Sequence, residues 1–505
     1  MLKYDQKAIE AEVSGYWKKE KIPEGLSGER KGRKKFYLND GPPYVNALPH
    51  VGHVKTTAYK DVWSRLKFMQ GFDSYFQPGF DCHGLPIEVI VEQDLGIKAK
   101  SDIEKMGIEK FDAECLKKVL HNESVWIDYY KKLGAWRGFF EPYFTFEPYY
   151  IESAWWTAKK LHEKGMLVRG KKSIHWCPKC ETALAGYEVS DSYKMVTDPS
   201  IFIKFKLKGR DEFLLVWTTT PWTLPANVGI GVKGDEDYVK VEVNGVKLIV
   251  AEKLAAKVFG EIGVKFKVLE KVKGEDLAGL EYEPLLDLPS QHSIDKHANA
   301  RKIWLSLPIM KSKKYKKHVK SEEAGGGTKK EDEEEVGEFV TVSEGTGFVH
   351  TAPGHGQTDN LFGKHYNLPE VSPVDEQGKF TEEAGEFKGL FVKAADKLIM
   401  EKLEKEGKLL HRSTVSHSYP LCWRCKSPLI FRLSDQWYLT VDLIKDKMIT
   451  ENRDVKWMPS YGKEALENWL IDAQDWCVSQ QRYWGIPMPV WVCSKCKAEK
   501  VIGSV

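Results

Sequence analysis

"KFYLNDGPPYVNALPHVGHVKTTAYKDVWSRLKFM", residues 35 to 69, is the stretch on which the fold turns. Residues 35 to 40 read as a short strand, and from His50 the apolar residues Val54, Ala58, Val62, Leu66 and Met69 recur at helical spacing. Between them lies a stiff loop with three prolines, two glycines and two histidines in residues 41 to 53. Strand, Gly/Pro loop and helix in that order open an α/β nucleotide-binding sheet. Pro49 suits the first turn of a helix, which sets His50 and His53 at i and i+3 on one face of that turn. Unpaired backbone N–H groups and the helix dipole favour an anion there, and Gly52 leaves room for a nucleotide against the backbone. A phosphate-bearing ligand is the expectation, although an isolated H-x-G-H equally describes a pair that caps a helix or sits in a core.

The 505 residues are too many for one ordinary core, and 42% hydrophobic with 12% aromatic residues is a globular composition. With 76 basic and 73 acidic residues the net charge is only +3, so a nucleic-acid partner must meet a local basic surface. The start, "MLKYDQKAIEAEVSGYWKKE", is charged throughout and no eighteen apolar residues run together. A cytoplasmic chain with no membrane partner is expected.

Six of nine cysteines form C-x-x-C pairs: Cys177 with Cys180, Cys422 with Cys425, and Cys493 with Cys496. In a reducing compartment such pairs read as metal ligands before disulfides, and two pairs complete one tetrahedral zinc site. Cys82, Cys115 and Cys477 read as small buried hydrophobes.

Helices follow at about 103 to 133 and 150 to 164, the second ending on Gly165. After Cys180 the texture becomes β-rich: "IFIKFKL" alternates, "FLLVW" is a buried run, and "YVKVEVNGVKLIVA" is a hairpin turning on Asn244-Gly245. This block reads as a domain inserted within the first. Residues 311 to 336, basic, then glycine-rich, then acidic, read as a solvated loop, with a basic patch touching nucleic acid as the other reading.

The loop 41–53 resembles the signature of class I aminoacyl-tRNA synthetases, and "GFDCHGLPIE" at 79 to 88 strengthens the match. "WCPKCETALAGYEV", "WTTTPWTLPAN", "GTGFVHTAPGHGQTD", "SYPLCWRCKSPLIFR" and "DWCVSQQRYWGIPMPVW" extend it in collinear order over nearly the whole chain. The resemblance is to the large-insertion group that charges isoleucine, valine and leucine. "GFDCHGLPIE", His350 in "VHTAPGHGQ" and "HSYPLCWRCKSPLIFR" favour its isoleucine-charging branch, with the valine-charging branch second.

The resemblance implies a Rossmann-like catalytic domain interrupted by a β-rich editing domain, with zinc knuckles. Residues 1–176 would be the first half of the catalytic domain and 177–430 the insertion with its zinc neck, editing core about 181–412. Residues 431–490 would return to the catalytic domain, and 491–505 would begin a second zinc hairpin. The implied partners are ATP with Mg2+, L-isoleucine and tRNA(Ile). His50, Gly52 and His53 would bind ATP, the two histidines acting in catalysis at the α-phosphate. Pro42, Asp81, Gln481 and Trp484 would bind the amino acid, Asp81 through its ammonium group. Gln480 stands where the family usually has arginine in "SRQRYWG". Thr218, Thr219, Thr220, Trp222, His350 and Asp359 would form the editing pocket, with Asp359 gripping the α-amine. Cys177, Cys180, Cys422 and Cys425 would close one zinc knuckle, and Cys493 with Cys496 half of a second.

The family's lysine-rich "KMSKS" loop does not occur in these 505 residues, and "DKMIT" at 446 to 450 is no substitute. A fragment or a split enzyme is therefore expected, with a C-terminal half on a separate chain and weak isoleucine activation by this chain alone. A stand-alone aminoacyl-tRNA deacylase and a non-catalytic tRNA-binding module are the competing readings.

Overall fold

The structure, a computed structural model, describes residues 4–38, 41–97, 100–136, 141–189, 192–311 and 336–505. The charged stretch within 311–336 thus lies, but for its two ends, outside the described residues. The chain divides into two compact units, Met1–Gly165 with Gln481–Val505, and Met166–Gln480.

In the first unit α1 (Gln6–Glu20) starts on Asp5, whose carboxylate accepts the Ala8 N–H, and α2 (Ile22–Glu29) follows it. Next come β1 (Lys35–Leu38), α3 (Val51–Met69) and β2 (Asp73–Phe76), with β2 parallel to β1. The expected strand–loop–helix order is thus continued by a parallel strand into a crossover. β3 (Gly79–Phe80) pairs in parallel with β4 (Tyr143–Phe144), and α4 (Leu85–Leu95), α5 (Lys100–Met106) and α6 (Ile108–Lys132) lie between them in sequence. α7 (Pro148–Glu163) is followed by Gly165 at φ +69, and Val490–Val492 pairs with Glu499–Val501. α6 buries Phe111, Cys115, Val119, Asn122, Trp126 and Tyr130 at near-helical spacing. That stripe packs on Val45, Phe80, Cys82 and Ile87, which gathers the loop 41–53 and the stretch 79–88 around one helix.

α3 is helical where expected, but its apolar repeat does not face the core. Val62, Leu66 and Met69 are 62%, 41% and 78% exposed, whereas Thr57 and Ser64 are buried. Ser64 Oγ meets Ser74 Oγ of β2 at 3.1 Å, so small hydroxyl residues let the helix approach the strand.

The second unit runs through β5 (Leu167–Cys177), β6 (Thr182–Ala183), β7 (Tyr193–Lys206), β8 (Phe213–Thr218) and β9 (Gly229–Val232). β10 (Asp237–Val243), β11 (Val246–Ala251), β12 (Lys267–Lys273), β13 (Lys302–Leu305), β14 (Pro308–Lys311), β15 (Val336–Glu338) and β16 (Phe348–Thr351) continue it. β17 (Leu409–Pro420), β18 (Ile430–Leu439) and β19 (Trp476–Cys477) close it. The main sheet has the order β12-β10-β11-β8-β7-β17, a second β13-β9-β16, and a third β19-β18-β5-β6. The hairpin turn is where the sequence put it, with Asn244 at φ 50 and Gly245 at φ 81. In β7 the alternation is buried on both faces, Phe202 as deeply as Ile201 and Ile203. Residues 431–480, read from sequence as a return to the first domain, group with the second unit, because β18 pairs with β5 over ten residues.

Candidate functional site

In the first unit His50 is the residue that caps α3, and Pro49 precedes the helix instead of lying in its first turn. His50 Nδ1 accepts the Gly52 N–H at 3.1 Å and His53 Nδ1 accepts the His50 N–H at 3.1 Å. Two imidazoles thus build a capping box and use backbone donors that the sequence reading left for an anion. With Nδ1 accepting, each neutral ring carries its proton on Nε2. The rings lie 3.8 Å apart, His53 edge-on to Trp126 at 4.6 Å. Gly52 is needed by His50 itself, since a Cβ there would come within 2.9 Å of the imidazole.

α6 pins the loop: Trp126 Nε1–H donates to Ala47 O at 2.8 Å and Asn122 Nδ2 to Val45 O at 2.5 Å. Asp81 lies against the same loop, its N–H on Pro43 O at 3.0 Å and its carbonyl accepting from Val45 at 3.2 Å. Burial lifts the Asp81 carboxyl above its usual range, opposed by hydrogen bonds from His83 N–H and the Tyr44 side chain. Trp484 stands on the other side of Cys82–Gly84: its indole N–H donates to Cys82 O at 2.5 Å and its carbonyl accepts from Gly84 at 2.8 Å. Buried Glu88, which the sequence reading passed over, accepts the N–H groups of Tyr483 and Trp484 on one oxygen at 2.7 and 2.8 Å. Pro42 and Gln481, both half-buried, adjoin these two segments in the chain.

The second unit holds a cavity of about 340 Å³, walled by Thr218, Thr219, Thr220, Thr223, His350 and Asp359 among others. Five of those residues are sequence candidates; Thr223 was not. Trp222 does not line the cavity: it lies in the 3-10 turn Pro221–Ala226, 3% exposed with its ring against His355 at 5.1 Å, and the aromatic residues at the wall are Trp217, Phe339 and Phe348.

Asp359 sits in the first turn of the helix Gln357–His365, with Oδ2 accepting the Ala352 N–H at 2.9 Å. A Cβ on Gly356 would lie 2.6 Å from its Oδ1, so the glycine leaves the carboxylate its place. Desolvation pushes the Asp359 carboxyl up to about 6 against that backbone hydrogen bond. A carboxylate so placed gains from a cation brought to it. Both His350 nitrogens are engaged, Nε2 with Thr223 Oγ1 at 2.7 Å and Nδ1 with Asn227 Nδ2 at 3.1 Å. Burial lowers its pKa to about 4, with His355 as a like-charge neighbour, so the ring is neutral at pH 7. Gln480 Nε2 lies 3.5 Å from Glu188 Oε2.

Cys177, Cys180, Cys422 and Cys425 bring their sulfurs within 4.8 Å of one another, Cys177 to Cys425 at 3.4 Å and Cys180 to Cys422 at 4.0 Å. A tetrahedral ion with metal–sulfur bonds of about 2.3 Å asks for sulfurs about 3.8 Å apart, and a disulfide for about 2.05 Å. The cluster fits a metal and is consistent with structural zinc. Glu181 (φ 48) and Lys426 (φ 58) turn the chain out of each pair. Lys497 (φ 59) does the same after Cys496, and Lys426 and Lys497 return their N–H groups to Cys422 O and Cys493 O at 2.9 and 3.0 Å. Cys493 and Cys496 are exposed, and no third donor joins them among the described residues.

The family profile "tRNA synthetases class I (I, L, M and V)" matches residues 12–505, and the chain belongs to that family. Among curated proteins it is similar to "Isoleucine--tRNA ligase" of Pyrococcus abyssi, 45% identical over 97% of this chain and 44% of that protein. The protein of the same name from Methanothermobacter marburgensis is 42% identical over 99% of this chain and 44% of its own length. The chain thus spans under half the length of these relatives. Among solved structures, the Agrobacterium radiobacter K84 agnB2 LeuRS-tRNA-LeuAMS complex aligns with 99% of this chain and 52% of that one, at 15% identity and TM-score 0.37. No helix of the described residues is long and apolar enough to cross a membrane.

Proposed function

We propose that this chain carries the ATP-facing part and the editing domain of an isoleucine–tRNA ligase working in the cytoplasm on ATP, L-isoleucine and tRNA(Ile). Support for the substrate comes from relatives called isoleucine–tRNA ligase along nearly the whole chain. In the first unit, a Rossmann-like catalytic domain on this reading, the Nε2–H groups of His50 and His53 stabilise the α-phosphate as the isoleucine carboxylate attacks it. Pyrophosphate leaves, and catalysis comes from positioning and charge stabilisation. Asp81 receives the substrate ammonium, while Pro42, Gln481 and Trp484 shape the amino-acid side of the site. Mg2+ enters with ATP as its counter-ion. Cys177, Cys180, Cys422 and Cys425 hold a structural zinc, and Cys493 with Cys496 supply two ligands of another.

Editing is needed because one methylene separates valine from isoleucine. That pair is the known worked case of a discrimination limited to about 1–3 kcal/mol. The observation that carries the editing reading is Asp359, a carboxylate with a raised pKa at a cavity wall beside Thr218, Thr219 and Thr220. It grips the α-ammonium of a mischarged valyl ester, the threonines place ribose and water, and Trp222 backs the wall through His355. His350 shapes the pocket without serving as a base, since neither ring nitrogen is open. The 505-residue chain is expected to hydrolyse valyl-tRNA(Ile) without ATP, to spare isoleucyl-tRNA(Ile), and to lose the activity in Asp359→Ala. Hydrolysis no faster than buffer, or full activity in Asp359→Ala, refutes the reading.

A further inference from the structure

We infer that Tyr282 is a positioning residue of this cavity: through Asn227 it holds His350 in the Nε2–H tautomer and thereby fixes Thr223 and Thr220 at the wall. The inference rests on the editing reading for its consequence, but not for its chemistry. Tyr282 is 2% exposed and its hydroxyl donates to Asn227 Oδ1 at 2.7 Å. Asn227 Nδ2 donates to Gly229 O at 3.0 Å, an atom that can only accept. The Gly229 contact admits one orientation of the amide, in which Oδ1 receives the Tyr282 O–H and the second N–H goes to His350 Nδ1 at 3.1 Å.

Nδ1 is therefore the acceptor nitrogen of the ring. The proton sits on Nε2 and is donated to Thr223 Oγ1 at 2.7 Å. Thr223 passes its own hydroxyl proton to Thr220 O at 2.8 Å and keeps its oxygen 3.3 Å from Thr220 Oγ1. Thr218 Oγ1 follows, 3.3 Å from Thr220 Oγ1 and accepting the Thr220 N–H at 3.2 Å. Every donor in the relay from Tyr282 to Thr220 O meets an acceptor, and an imidazolium would set an Nδ1–H against the amide N–H of Asn227. Arg301 beside Tyr282 and His355 beside His350 are the charged or titratable neighbours. Ser290 and Gln291 hold Pro225 O at 2.8 and 2.9 Å, so the backbone carrying Asn227 is anchored as well.

The test is the two-bond nitrogen–proton spectrum of the full chain labelled with 15N-histidine, the His350 signals being those lost in His350→Gln. The wild type is expected to show the Nε2–H tautomer at pH 7. Tyr282→Phe is expected to show a mixture of tautomers. Its kcat for valyl-tRNA(Ile) hydrolysis should fall about ten-fold, the worth of one buried hydrogen bond, with KM changed less than about two-fold. An Nδ1–H signal in the wild type overturns the inference, as does a Tyr282→Phe chain with unchanged tautomer and rate. The wild-type spectrum needs no substrate and decides the point even where Tyr282→Phe does not fold. A wild type with the Nε2–H signature and no hydrolysis removes the editing reading and leaves the tautomer assignment standing.

Discussion

On the proposed editing role, Asp359 would meet a substrate ammonium only while ionised, and desolvation moves its carboxyl up to about 6. Its cavity neighbour His350 titrates near 4 and stays neutral across the useful range. Deacylation of valyl-tRNA(Ile) is therefore expected to be flat from about pH 7 to 8 and to fall about ten-fold per unit below pH 6. Asp359→Asn should hold at all pH values the low rate that the wild type reaches in acid. A kcat/KM profile without a limb near 6, or one that keeps its limb in Asp359→Asn, refutes the role. At this scale the motifs made Thr218, Thr219, Thr220, His350 and Asp359 legible. Thr223, Asn227 and Tyr282 were not, because their hydrogen bonds join residues 127, 123 and 55 positions apart. The opening loop shows the reverse difficulty: the pattern H-x-G-H served two readings, and the contacts seen are those of the capping one, each Nδ1 accepting a backbone N–H at the start of α3.

The 3-10 turn Pro221–Ala226 connects the threonine strand to Asn227, and it is held from behind by Asp396, whose Oδ1 accepts the Trp222 N–H at 2.8 Å. Burial pushes the Asp396 carboxyl up to about 7, with Lys393 opposing and Asp198 assisting. A folded-state pKa above the unfolded 3.8 means that the native protein binds the extra proton, so stability is lost as pH rises from about 4 to about 7. Asp396→Asn keeps an acceptor for Trp222 and cannot ionise. It is expected to be more stable than the wild type at pH 8 by on the order of 1–3 kcal/mol and to show no gain at pH 4.5. Urea midpoints at the two pH values check this, and an equal difference at both would refute it. Elements were largely legible from periodicity, but facing was not. In α3 the repeat of Val62, Leu66 and Met69 gave the helix but not its buried side, since Ser64 packs on Ser74 and those apolar residues are exposed.

For the molecule as a whole, the sequence announced an insertion, and in the structure the first compact unit is interrupted by Met166–Gln480. The pairing of Leu167–Cys177 with Ile430–Leu439 joins strands far apart in the chain, and no local pattern signals it. What it does explain is the position of the four cysteines. Cys177 ends β5, and Cys422 and Cys425 lie between β17 and β18, so both pairs stand where the chain passes between the sheet of β5 and β18 and the sheet of β7 and β17. A metal held there ties the two crossings to each other and stabilises the folded form by the free energy of binding. One equivalent of zinc is expected to remain after dialysis, and Cys422→Ser with Cys425→Ser should lose it. The thermal midpoint should then drop by at least about 5 °C, given about 2–4 °C per kcal/mol for a unit of this size. Cys493→Ser with Cys496→Ser should keep that equivalent, because its ligands lie elsewhere. Elemental analysis beside a thermal scan checks both variants. A midpoint unmoved by losing Cys422 and Cys425 would mean that hydrogen bonds between β5 and β18 hold the crossing without the metal.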